Sequence, residues 1–246
     1  MATKVFSKKK FIEILEKQLT NRAKKNQYGI VFVGSATDAY MPHEKELKKT
    51  EAFLKLFLKY RFPIFISTKR DLILRDIELL KEIDRAAILP DDLKQKLNRG
   101  VILAVSVSTM NSDIAESLEP GAILPEERMK LIQQLKSEGF LAGVNAIPVL
   151  PFISDTEEEL EKIISTAKTH QADFVLTGGL TLFGDGPADS KTLYFKFLER
   201  KFPHLISNYH QLYQNKFYPP FWYQEELEQR ASFLCGKYGI RNKIPA

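Results

Sequence analysis

Cysteine is almost missing from this chain: one, Cys235, in 246 residues. A single thiol forms no internal disulfide and cannot supply a metal site that needs several thiolates. It sits in "ASFLCGKYG", a helical apolar stretch, and reads as a buried structural thiol. Histidine is scarce too; His43, His170, His204 and His210 show no HxxxH or paired spacing, so none is singled out as a ligand. No apolar run reaches the roughly 18 residues a membrane helix needs. The basic start, residues 1–10, has no apolar core and is not a secretory signal, so a cytoplasmic protein is expected. No strand is followed by GxGxxG or GxxxxGK[ST]; "GGLTLFGDG" at 178–186 lacks the spacing, which excludes the usual dinucleotide and P-loop phosphate cradles. No linker rich in Pro, Gly or Ser divides the chain. No paired carboxylates or Ser–His arrangement marks a simple hydrolase.

What is present is globular: 44% hydrophobic and 27% charged residues. The net charge of +5 makes an anionic partner, nucleic acid included, plausible without demanding it. Much of the excess lies at "KKK" 8–10 and "RAKK" 22–25, which suits a solvated helix face. Strand and helix signals alternate. Residues 7–25 predict a helix capped by Ser7, with Phe11, Ile14, Leu15 and Leu19 on one face. Strands are predicted near 29–34, 63–67, 101–107, 140–148 and 172–177, each an almost unbroken apolar run suited to burial on both faces. Helices are expected over about 42–60, from Asp71, from Pro125 to Gly139, and over 155–170 with Asp155 as cap and Glu158 at the box position. A further helical stretch follows at 191–202. Five serial βα units predict a parallel sheet, and two C-terminal helices close the chain.

Polar residues recur where these strands end: Ser35 and Asp38, Thr68 and Lys69, Ser106, Ser108 and Thr109, Asn145, then Thr177 to Gly179. One such end is explained by helix capping. Five together point to a site, because a barrel gathers its strand ends on one face.

Three segments in this order, "GSATDAYMPHEKELKKT", "FPIFISTKRDLILRDIELLKEI" and "VSVSTMNSDIAESLEPGAILPEERMKLIQQLKSEG", resemble the radical S-adenosylmethionine proteins related to spore photoproduct lyase, the DNA-repair-photolyase-like group. The resemblance runs from about Lys4 to Pro203. It implies an open, partial parallel βα barrel over 1–202, with a helical extension over 203–246. It also implies a 4Fe-4S cluster held by C-x-x-x-C-x-x-C, and S-adenosylmethionine cleaved to a 5′-deoxyadenosyl radical. The chain departs from that pattern: those cysteines are absent, and a strand before residue 1 would complete a sixth unit. Truncation is the expectation; a natural relative acting as an adenosyl-ligand or nucleic-acid binding protein without redox chemistry is the alternative. The sheet's open side should then lie beside the 29–34 strand.

Carried onto this sequence, the resemblance assigns Ser35, Thr37 and Asp38 to the methionyl end of S-adenosylmethionine, with Gly34 allowing close backbone approach; Thr37 or Asp38 as a helix cap is the plainer reading. Lys69 would meet the methionyl carboxylate or a substrate phosphate. Ser106 and Ser108 share a strand face as ribose ligands or as small packing residues. Asn145 would bond adenine or ribose, or form a turn. Arg128 lies in the first turn of its helix, against the dipole, so it calls for a bound anion or for a carboxylate partner, which Glu119 or Glu127 could supply as a purely structural pair. In "NKFYPPFWYQ", 215–224, packing of the C-terminal helices accounts for the rings better than stacking on bases does. The substrate, the oligomeric state and any catalytic residue stay open at this level.

Overall fold

The computed structural model describes residues 11–35 and 37–244, so the expected Ser7 cap lies outside the described residues. Five strands, β1 Val31–Val33, β2 Ile64–Thr68, β3 Val101–Ser106, β4 Leu141–Val149 and β5 Val175–Gly179, form one sheet in the order β1-β2-β3-β4-β5. All are parallel, as an open α/β half-barrel requires, and β1 is a terminal strand as expected. Every residue of β2 and β3 is buried, which is why their sequences read as unbroken apolar runs rather than alternating ones. In β4 and β5 the register pairs Val144 with Val175, Asn145 with Leu176 and Ala146 with Thr177. It then shifts before Val149 meets Gly179. Pro148 falls in that gap and has no N–H to give the ladder. Gly143 is dictated by contact: a Cβ there would stand 2.4 Å from the Phe174 carbonyl oxygen.

The chain divides into two compact units. One holds the residues up to Ile66 together with Leu72–Ile102; the other holds Ser67–Asp71 and the chain from Leu103 onward. In the first, α1 (Phe11–Lys24) lies on α3 (Lys49–Tyr60), and α3 on α4 (Ile77–Ala86). The single helix expected over 42–60 is broken. A short α2 (Glu44–Leu47) ends at Lys48, whose φ of 47° is left-handed, and α3 starts afresh. The cause is the Glu44 carboxylate, which accepts from the Lys49 and Thr50 N–H groups at 3.1 and 2.8 Å and so caps α3. The helix expected from Asp71 begins as a 3-10 turn, Asp71–Asp76, before α4 takes over.

In the second unit α5 (Ser112–Leu118) occupies a stretch read as loop, capped by Asn111 Oδ1 accepting from Ile114 N at 3.2 Å. Helix α6 (Pro125–Ser137) starts at its proline and stops before Gly139, whose φ is 88°. Helix α7 (Glu157–Thr169) buries Leu160, Ile163, Ile164 and Ala167, one helical face, and meets the C-terminal α10 (Phe221–Tyr238). Its cap is Thr156, whose Oγ1 accepts from Glu159 N at 3.3 Å, and not Asp155. Asp155 is taken by Tyr223, whose hydroxyl donates to it at 2.8 Å. Three more buried phenols in α8 (Ser190–Lys201) and α9 (Ile206–Tyr213) have the same use. Tyr194 and Tyr209 hydroxyls lie 2.7 Å apart, Tyr209 donates to Pro151 O, and Tyr213 donates to Leu180 O at 2.6 Å. They fasten the C-terminal helices to the loops after β4 and β5. Helix α10 also lies on β5, where Gln224 Oε1 accepts from Gly179 N at 3.0 Å and Arg241 O accepts from Val175 N at 2.8 Å.

Candidate functional site

Parallel strands deliver their C-terminal ends to one side, and in the second unit β2, β3 and β4 deliver polar side chains there. Ser67, Ser106 and Asn145 are all buried. Asn145 Nδ2 donates to Ser67 Oγ at 2.9 Å, and the Ser67 and Ser106 hydroxyls are 2.9 Å apart. Asn145 Oδ1 is buried with no hydrogen-bond partner among the described residues. A buried acceptor left unpaired costs about 1–3 kcal/mol, so it marks a place where a donor is wanted. Asn145 is therefore a strand residue in a polar relay, not a turn former. Ser67 escaped the sequence reading; a lone serine inside "FPIFIST", on a strand buried throughout, was the available signal.

Beside this relay stands a charged trio. Arg128 in the first turn of α6 is 2% exposed. Its Nε donates to Ile123 O at 2.7 Å, and its Nη1 donates to Ser106 O at 3.0 Å and to Glu119 Oε2 at 2.6 Å. A cation at a helix N-terminus opposes the dipole, and a carboxylate with two carbonyls offsets that. Glu119, not Glu127, is the partner; Glu127 Oε2 instead accepts from Leu124 N at 2.9 Å and caps the helix. The second oxygen of Glu119 lies 3.6 Å from Lys69 Nζ. The turn carrying Glu119 is fixed from its other side by Arg70, which donates to Gly121 O; Gly121 has φ 78°, a value suited to glycine. Thr68 Oγ1 accepts from Arg70 N at 3.2 Å and shapes the turn between them. Ser108 is buried just beyond β3. Four of the nine expected residues, Lys69, Ser106, Arg128 and Asn145, are thus linked in one network through Ser67 and Glu119.

Gly34, Ser35, Thr37 and Asp38 belong to the first unit. Gly34 turns the chain off β1 at φ 95°, a conformation glycine takes without strain. Ser35 and Thr37 are exposed. Asp38 Oδ1 accepts from Tyr40 N at 2.8 Å, an Asx turn; neither it nor Thr37 caps a helix, since α2 starts at Glu44. Behind this loop lies an ionic network that sequence reading did not resolve. Thr50 Oγ1 donates to Ala39 O, and Arg75 Nη1 donates to Glu44 O at 2.9 Å. Arg75 also pairs with Glu44 Oε1 at 3.3 Å and Asp76 Oδ1 at 2.8 Å, and those carboxylates hold its guanidinium firmly charged. Tyr40 is fully buried; burial, then the Asp76 charge, pushes its phenol well above the ordinary range.

Cys235 is buried in α10, and burial pushes its thiol up to about 11, as an inert structural thiol requires. Among the described residues no group of three His, Cys, Asp or Glu is placed to hold a metal ion. They therefore do not fit a 4Fe-4S cluster, which thiolates hold. Within 215–224 the packing expectation holds for Tyr223, which is buried, and fails for Phe217, Tyr218, Phe221 and Trp222, which are exposed. No described helix is long and apolar enough to cross a membrane.

No family model matches the chain. An uncharacterized protein of Mycobacterium tuberculosis is 28% identical over 210 residues, 85% of this chain and 57% of that protein, so the chain spans little more than half the length of this relative. Among solved structures, a cysteine-to-serine mutant of spore photoproduct lyase is similar at TM-score 0.59 and 12% identity, over 93% of this chain and 64% of that one. Streptococcus suis SuiB bound to S-adenosylmethionine is similar at TM-score 0.50 and 10% identity, over 84% of this chain and 43% of that one. At these identities the likeness shows a shared fold.

Proposed function

We propose that this chain is the S-adenosylmethionine-binding body of a radical enzyme related to spore photoproduct lyase. The observation that carries the reading is the unpaired, buried Asn145 Oδ1 beside the Ser67–Ser106 hydroxyl pair. With Asn145 Nδ2 donating into Ser67, the relay has one carboxamide acceptor and one hydroxyl proton to spare. A ribose diol, which both donates and accepts, meets that need. Ser108 lines the same strand end. Lys69 supplies a cation for the methionyl carboxylate, backed by Arg128 through Glu119. When bound and reduced, S-adenosylmethionine supplies hydrogen-abstracting radical chemistry at its adenosyl carbon. The described residues supply no cluster ligands, so binding and orienting the cofactor is the part assigned to them.

Titration calorimetry with S-adenosylmethionine tests the proposal. A few charge-assisted hydrogen bonds give a Kd on the order of high micromolar. Asn145→Ala should weaken it about tenfold, one lost hydrogen bond. Absence of binding at millimolar ligand, or equal binding by wild type and Asn145→Ala, would remove the reading. For the substrate, the exposed Phe217, Tyr218, Phe221 and Trp222 and the net charge of +5 support stacking on nucleic-acid bases. Unchanged single-strand binding by Trp222→Ala would take that support away.

A further inference from the structure

Glu119 is the hinge of the charged trio, and its carboxylate is used asymmetrically. Oε2 is gripped by the buried Arg128 at 2.6 Å, whereas Oε1 stands 3.6 Å from Lys69 Nζ, beyond a close hydrogen bond. Its backbone is not free to retreat, because Arg70 holds Gly121 O two residues on. Lys69, Glu119 and Arg128 together carry a net charge of one positive unit rather than two.

We propose that Glu119 is a specificity-determining counter-ion: it occupies the place of a ligand carboxylate at Lys69 and restrains how strongly that lysine attracts anions. The proposal rests on the adenosyl-ligand reading above and adds to it a residue that touches neither adenine nor ribose. Two effects of Glu119 oppose each other. It steadies the Lys69 ammonium, which favours a bound carboxylate. It also repels that carboxylate from the far side of the same ammonium. Restraining one lysine side chain is worth less than repulsion between two carboxylates sharing one cation in a half-buried setting, so repulsion wins. Glu119 itself is 17% exposed, which leaves that repulsion only partly screened.

The test compares S-adenosylmethionine with 5′-methylthioadenosine, a neutral thioether that lacks the methionyl carboxylate, its ammonium and the sulfonium charge. Calorimetry at fixed ionic strength gives their affinity ratio for wild type and variants. Glu119→Gln should raise the ratio at least threefold through tighter S-adenosylmethionine binding, leaving 5′-methylthioadenosine within twofold of wild type. Glu119→Asp keeps the charge and should hold the ratio within twofold of wild type. Lys69→Met should pull the ratio down toward one. If Glu119→Gln does not fold by circular dichroism, the double variant Glu119→Gln with Arg128→Met removes both members of the buried pair and keeps the net charge at one positive unit; with the carboxylate beside Lys69 gone, the ratio should still rise, by more than about twofold. A ratio that falls or stays unchanged in the folded variant overturns the proposal, since a purely structural role would move both ligands together. If wild type binds neither ligand, the adenosyl reading and this inference fall together. If it binds both and only the ratio fails to respond, this inference alone falls.

Discussion

Replacing Arg128 with lysine keeps the charge and removes the fork, so it isolates what the guanidinium geometry contributes. Arg128 makes three donor contacts from two nitrogens: Nε to Ile123 O, and Nη1 to Ser106 O and to Glu119 Oε2. An ammonium on a shorter stem reaches one of these directions at a time. Two acceptors then lose a charged donor in a place from which water is excluded. Each such loss costs about 1–3 kcal/mol, and breaking a buried ion pair costs about 3–5 kcal/mol; about 3 kcal/mol is expected here because lysine retains part of the attraction. At about 2–4 °C per kcal/mol for a chain of this size, the melting temperature should fall by roughly 6–12 °C. Circular dichroism melts measure it. A double-mutant cycle with Glu119→Gln should return a coupling of about 1–3 kcal/mol, as expected for residues in contact. A fall of less than 2 °C, or additive single and double variants, would refute the view that this fork holds α6 to the end of β3.

Three other outcomes follow from the same structure. Gly143→Ala puts a Cβ against the Phe174 carbonyl at 2.4 Å, a backbone neighbour that cannot swing aside, and should cost about 1–3 kcal/mol in urea denaturation. Tyr223→Phe leaves the buried Asp155 carboxylate short of a donor and should lower stability by about 1–3 kcal/mol, whereas Tyr218→Phe, on an exposed ring, should change nothing measurable. The Cys235 thiol, raised from 9.0 to about 11 by burial, favours folding while it is protonated. That contribution is complete below pH 9.0 and is lost as pH rises through about 11. At pH 8 the native thiol should react with a disulfide reagent about a hundredfold more slowly than the unfolded chain, in proportion to thiolate.

The strands were legible because burial on both faces writes itself as apolar runs; β2 and β3 needed nothing more. Strand β5 starts three residues later than its run suggested, since Asp173 is used otherwise: its carboxylate binds Lys136 and accepts from Ala142 N. The break at Lys48 and the cap at Thr156 were illegible for one reason. In each case a carboxylate is used in a way its own segment does not announce: Glu44 turns onto the Lys49 and Thr50 N–H groups with Arg75 beside it, and Asp155 accepts from the distant Tyr223. Arg128 shows the opposite. A cation in a first helical turn announces a partner from sequence alone, and only the choice between Glu119 and Glu127 required coordinates. Ser67 was hidden because one small polar residue in an apolar strand looks like a packing choice until Asn145 and Ser106 are seen to touch it. The rings of 217–222 carry the reverse lesson: composition gives their number but not which of them face water.

The two ends of the sheet are finished differently. At β5 the chain's own tail closes the edge, with Arg241 bridged to Phe174 and Gln224 seated on Gly179 N. Among the described residues the sheet ends at β1, a strand of three residues, and Phe32 stands half out in water. Propagation into a fibre requires every subunit to offer two adhesive borders, one to receive and one to extend. A sheet sealed on one border is a chain terminator. Whatever strand pairs at β1, from a second molecule or from elsewhere, association along the sheet ends with that single joint.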